Sequence, residues 1–279
     1  MSNFQKVIKV LAICFAIFLI VNIFGIILFG ITLLTGIGGI VYPTIDTEIS
    51  EEIISETYDD IDKIDIDLTA AELTIKVGEE FKMETQNMKD NFSSKVVNGT
   101  LKLEENKKWF WNDNISGEIV LYVPQNENLR ELNIETGAGK ITIDGISSEK
   151  VEIDHGAGVL EISNSSFQNA NIDGGAGKIA INSSVLNNLN LDTGVGRVDI
   201  EAEITGRSEI NSGIGEVNIN ILGNEEEYEI IAEKGLGNLK VKNQEQTANV
   251  YRYGSGNNVI EVEGGIGNIN INFINENNV

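Results

Sequence analysis

Leu132-Asn133-Ile134-Glu135-Thr136-Gly137-Ala138-Gly139-Lys140-Ile141-Thr142-Ile143 is the stretch that decides the fold. Its Gly-x-Gly centre returns as Gly156-Ala157-Gly158, Gly175-Ala176-Gly177, Gly194-Val195-Gly196 and Gly213-Ile214-Gly215, each 19 residues after the last. A fixed period of this length marks a solenoid, in which one coil cannot bury its apolar face until a neighbour stacks on it. On both sides of the glycines apolar residues alternate with polar ones, which is the period of a strand. Stacking at 19-residue steps lines up three interior ladders: Ile134, Ile153, Ile172, Leu191 and Ile210; Ile141, Leu160, Ile179, Val198 and Val217; and Ile143, Ile162, Ile181, Ile200 and Ile219. Burial of one such side chain contributes roughly 1.5 to 3 kcal/mol.

The inward positions are even-numbered before the glycines and odd-numbered after them, so the chain turns a corner at Gly-x-Gly. Glycine suits a corner because it tolerates positive φ and close backbone approach. The middle residue, from Ala138 to Ile214, is expected to plug the coil interior. After Ile219 the interval slips, with Gly235-Leu236-Gly237 and Gly265-Ile266-Gly267 the next corners, and Gly254-Ser255-Gly256 reads as a loop or damaged coil.

Upstream, Ile64 to Val77 reads as a first coil with Thr69-Ala70-Ala71 in place of Gly-x-Gly. Strands are expected at Phe81–Thr85, Leu101–Glu104 and Ile119–Val123, with turns at Asn98-Gly99 and after Pro124. The fold class is therefore all-β, a parallel β-solenoid (β-helix) of 19-residue coils with an irregular N-terminal β cap, preceded by one transmembrane α-helix.

A run of 33 residues without a charge, Val10 to Tyr42, marks that helix, which is read at about Ile8 to Leu33. Continuous helix of that length exceeds the roughly 30 Å of a bilayer core. Cys14 is the only cysteine, so no disulfide forms within one chain, and it reads as an apolar side chain of this helix. Lys6 and Lys9 precede the run and an acidic segment follows it, which places the N-terminus in the cytoplasm and the β domain outside. The expected organisation is residues 1–9 as a short cytoplasmic N-terminus, 10–42 as the membrane segment and 43–60 as an acidic stalk. The N-terminal β cap then occupies 61–128 and the solenoid repeats 129–279. Ile45, Ile49 and Ile53 stand at four-residue spacing, which suggests a helical stalk.

Residues 43–279 carry 18 Lys and Arg against 43 Asp and Glu, a formal charge of −25. No basic stripe is present to displace the counterions of a nucleic acid, so nucleic acid is excluded as a partner. Both tryptophans sit in Lys107-Lys108-Trp109-Phe110-Trp111, a candidate contact loop whose competing role is to cover the open end of the core. Glu135, Asp154, Asp173 and Asp192 form an outward acidic ladder, either a solvated face partly neutralised by Lys140, Lys178 and Arg197 or a row of weak divalent-cation sites. The string Gly174-Gly175-Ala176-Gly177 lacks the aspartate that calcium-binding nonapeptide repeats place two residues later, since Ile179 stands there. His155 holds a corner position filled by Thr136, Gly174, Thr193 and Ser212 in sister coils, which reads as a turn residue and not a general base. No nucleophile with a base, phosphate loop or metal cluster is visible; no catalytic residue and no cofactor is assigned.

The degenerate first coil at Thr69-Ala70-Ala71, the irregular middle closing at Tyr122-Val123-Pro124 and the run of Gly-x-Gly and Ile-x-Ile coils resemble the putative-adhesin β-strand-repeat family of bacteria, named for domain of unknown function 4097. The resemblance covers residues 61–273 and implies a parallel solenoid on the outer face of a membrane. The outer domains of membrane proteins that regulate envelope stress responses are also similar. The expected function is a membrane-anchored extracytoplasmic solenoid acting as a non-catalytic binding or adhesin-like surface module for an envelope polymer. The alternative is a regulatory or sensory subunit beside a membrane-protein partner, and a polysaccharide-active enzyme comes last.

Overall fold

The computed structural model describes residues 53–88, 92–105 and 117–274. The expected membrane segment, most of the stalk and the Lys107–Trp111 loop lie outside the described residues. Among the described residues no helix is long and apolar enough to cross a membrane.

The N-terminal region contains β1 (Ile54–Tyr58), β2 (Lys63–Gly78), β3 (Phe81–Gln86), β4 (Phe92–Val97), β5 (Thr100–Glu105) and β6 (Gly117–Pro124). Strand β2 is the first full coil, and its corner registers as expected, with Ala70 opposite Ala138 and Ala71 opposite Gly139. On its other side the next rung is split between β5 and β6, both parallel to β2. At the end of β5 the amide of Thr69 donates to the nearly buried carboxylate of Glu105 at 2.7 Å. Antiparallel β4 covers β5, and β3 followed by β1 covers β6. Residues 54–58 are thus strand where isoleucine spacing suggested a helical stalk. Ile54, Thr57 and Tyr58 favour strand, and pairing with β3 along the whole of β1 overrides the weak four-residue pattern.

The central coils are built from β7 (Asn128–Leu129), β8 (Glu131–Asp144), β9 (Ser147–Ser148), β10 (Val151–Ser163), β11 (Ser166–Phe167), β12 (Ala170–Asn187), β13 (Leu189–Thr205) and β14 (Arg207–Leu222). Strands β8, β10, β12, β13 and β14 stack in parallel, and every residue of the three expected ladders is buried. A further buried ladder, Leu129, Ser148, Phe167, Leu186 and Ile204, runs along the short third side. There the buried hydroxyls of Ser165 and Ser184 accept the amides of Ile146 and Ser165, which lets small polar residues close a turn inside the core.

Glycine at the corner is required by the coil below more than by the bend. A Cβ at Gly177, whose φ is +142°, would run into the carbonyl of Gly158, and one at Gly175 into that of Gly156. The middle residue does not plug the interior. It points outward: Val195 is 52% exposed, Ile214 49%, Ile266 52% and Leu236 72%.

The C-terminal end contains a 3₁₀ turn at Glu225–Glu227 and strands β15 (Tyr228–Leu236), β16 (Leu239–Val241), β17 (Gln244–Gln246), β18 (Val250–Gly254) and β19 (Asn258–Ile274). Chain order and stacking order part here. Strand β19 lies directly on β14, and β15 with β16 lies on the far side of β19. The chain leaps over one rung, lays down the outermost one, and returns to fill the gap. Antiparallel β18 and β17 then cover β15 and β16, so both ends of the stack are split rungs capped by antiparallel strands, which protects the edges of a parallel sheet from further pairing. Gly254 ends β18 and makes no coil corner.

Candidate binding surface

Three outward rows run along the stack, each fixed by the parallel register. The first is the acidic ladder, which the structure does align: Glu135 lies beside Asp154, Asp154 beside Asp173 and Asp173 beside Asp192. Burial, together with the hydrogen bond and charge of Asp154 and the charge of Asp192, raises the Asp173 carboxyl above its ordinary value. The expected neutralising cations face away from this row. Lys140 pairs with Glu161 at 2.9 Å, Lys178 approaches Asp199 at 3.7 Å, and Arg197 holds Asp199 and Glu216 at 2.8 and 3.1 Å. The corner puts them on the adjoining face, where partners of their own are closer. Among the described residues no three His, Cys, Asp or Glu side chains converge as a metal site.

The second row is the corner ridge. In stacking order it reads Ala70, Ala138, Ala157, Ala176, Val195, Ile214, Ile266 and Leu236, all exposed. Apolar bulk therefore grows toward the C-terminal end and stands on bare glycine backbone.

The third row follows the corner on β12, β13, β14 and β19. Here sequence alternation sends Asp199, Asn218 and Asn270 outward in one column and Asn182, Glu201, Asn220 and Asn272 in the next. The first column is fastened across the rungs: Asn218 donates to Asp199 at 3.0 Å and Asn270 to Asn218 at 2.8 Å. Burial alone would raise the Asp199 carboxyl, but the hydrogen bonds from Arg197 and Asn218 outweigh it and hold it below its ordinary value. Between the columns lies an open groove of about 320 Å³, lined by Asn182, Arg197, Asp199, Glu201, Asn220 and Asn272 among others. A β-bulge at Ser183, φ +49°, shifts the register beside it. The groove was not read from the sequence; the signal was the run of Asn and acidic residues three and five positions after the second glycine of neighbouring coils.

His155 faces inward. It is 4% exposed, its Nδ1 lies 2.7 Å from Thr136 Oγ1, and its Nε2 has no partner. Burial lowers its pKa. Its register partner in the next coil is Gly174.

No curated protein matches the chain. Among solved structures, a putative adhesin from Bacteroides fragilis is similar over 81% of this chain and 99% of its own, at 16% identity and a TM-score of 0.51. A putative cell adhesion protein from Clostridium sporogenes covers 80% and 99% at 17% identity and a TM-score of 0.39. A putative lipid binding protein from Parabacteroides distasonis covers 79% and 96% at 16% identity and 0.46. The first of these shares the fold. The family model described as Toastrack DUF4097 matches residues 61–272, from the start of the first coil to the end of the rung that returns to fill the stack, and the chain belongs to that family.

Proposed function

We propose that this chain is a membrane-anchored, extracytoplasmic solenoid that works as a non-catalytic binding module. The uncharged run of residues 10–42 is the anchor, with the N-terminus inside. The observation that carries the reading is the groove on β13, β14 and β19, where hydrogen-bonding side chains converge on a rigid parallel stack without a nucleophile and base among them. The name of the similar Bacteroides fragilis structure, a putative adhesin, agrees with it.

A second reading, a regulatory subunit that docks a membrane protein, is favoured by one feature, the exposed ridge of Val195, Ile214, Ile266 and Leu236. Photo-crosslinking in cells separates the two. A photoreactive residue is placed in the full-length protein at Asn220, at Ile266, or at Glu152 as a control. Polymer-shifted products from Asn220 alone support the binding module. A single recurrent membrane protein captured from Ile266, with nothing from Asn220, overturns it in favour of the second reading.

A further inference from the structure

The groove differs from the acidic ladder in having polar groups with nothing to bind. The side chains of Asn182, Glu201 and Asn220 stand in one column on successive rungs, and none makes a hydrogen bond among the described residues. Rungs repeat at about 4.8 Å, so the column offers amide, carboxylate and amide at a regular interval. The opposite wall is different in kind: Asp199, Asn218 and Asn270 are already bonded to one another and form a fixed, largely satisfied surface.

The charges select among ligands. Arg197 is the cation that lines the groove, with Lys178 beside it 3.7 Å from Asp199, and the Arg197 guanidinium is committed to Asp199 through two bonds of 2.8 Å and to Glu216 at 3.1 Å. Glu201 leaves an uncompensated negative charge, which opposes phosphate and carboxylate ligands at contact distance. What remains is a set of groups that both donate and accept. An amide can donate to one hydroxyl and accept from its neighbour, and a carboxylate can accept from two vicinal hydroxyls. We infer that the groove over β13, β14 and β19 takes a neutral polyhydroxylated chain, a polysaccharide strand free of phosphate and carboxylate groups, running across the rungs. This inference rests on the binding-module reading and names its ligand.

The test uses the full-length protein in detergent micelles against immobilised polysaccharides: chitin, mannan and β-glucan as neutral chains, polygalacturonate and poly(glycerol phosphate) as anionic ones. Retention on a neutral chain is expected, with binding at least tenfold weaker for the double variant Asn182→Ala/Asn220→Ala. Binding should persist in EDTA. Asn182 is exposed and Asn220 half-buried, and an unchanged thermal transition checks that the variants fold. Preference for an anionic chain overturns the inference but leaves the binding module intact. Loss of binding in EDTA also overturns it, by assigning recognition to a bound cation. Neutral binding that the double variant does not weaken moves the site elsewhere and overturns it as well. Failure to bind any chain, joined to an Asn220 crosslinker that captures no polymer in cells, ends both readings.

Discussion

The side-chain amide of Asn270 donates to the side-chain oxygen Oδ1 of Asn218 at 2.8 Å, although the two stand 52 residues apart in the chain. Among β8, β10, β12, β13 and β14 the side-chain bonds between rungs join residues about 19 apart, as Asn190 joins Asn171. The exception records that β19 is an interior rung laid down last.

Removal of residues 258–279 should therefore do more than shorten the solenoid. It takes away the rung between β14 and β15 and leaves both with bare edges. Amide hydrogen exchange on the truncated full-length protein should show lost protection in Ile210–Ile219. Retained protection there would mean that β15 can stack directly on β14 and that the order inferred from the register is wrong.

Gly177→Ala should destabilise by more than about 1 kcal/mol, since the backbone has positive φ and the added methyl meets a backbone carbonyl that cannot yield. Ala176→Ser, one residue away on the exposed ridge, should stay within about 0.5 kcal/mol. Denaturant unfolding midpoints compare the two.

The coils were legible because period two and period 19 act on the same residues, and a ladder such as Ile143, Ile162 and Ile181 has one arrangement that buries it. The corner residue was misread because Val195 and Ile214 are apolar, and apolar character alone does not say that a corner residue points outward. The neutralising role given to Lys140 and Arg197 failed for a related reason: sequence proximity to the ladder ignores that a corner intervenes. The groove escaped notice because its walls come from coils whose stacking order departs from chain order, so Asn218 and Asn270 could not be paired on paper.

Ile181→Ala should cost about 2 to 5 kcal/mol, because it opens a cavity in a ladder with no exposure. Val195→Ala should cost less than about 0.5 kcal/mol, since half of that side chain already meets solvent. Equal losses in the two variants would return the corner residue to the interior.

His155 gives the fold a weakness on mild acidification. Burial lowers its pKa below the ordinary 6.5, so the unfolded chain binds the proton more readily than the folded one. Its contribution is intact above pH 6.5 and is lost as the pH falls through that value toward the folded pKa. His155→Thr, which installs the residue of two sister coils, should flatten the dependence of the unfolding midpoint on pH between 7 and 5. An unchanged slope would assign that dependence to other groups.

Asp173 acts in the opposite sense. Burial and the neighbouring Asp154 and Asp192 raise its carboxyl above the ordinary 3.8, so its favourable contribution is complete below that value and is lost as the pH rises through the folded pKa. At pH 7 it is therefore a charged group held beside two others at a cost, and Asp173→Asn should raise the unfolding midpoint there in the presence of a chelator. The gain should vanish below pH 3.8, where the native carboxyl is protonated in both states. Calcium supplies the control, because oxygen ligands at rung spacing would bind it only if the row serves as more than a solvated face. A wild-type midpoint that climbs past that of Asp173→Asn when calcium is added would turn the ladder from an electrostatic burden into a cation site; parallel curves with and without the ion would leave it a charged surface whose repulsion the stack simply withstands.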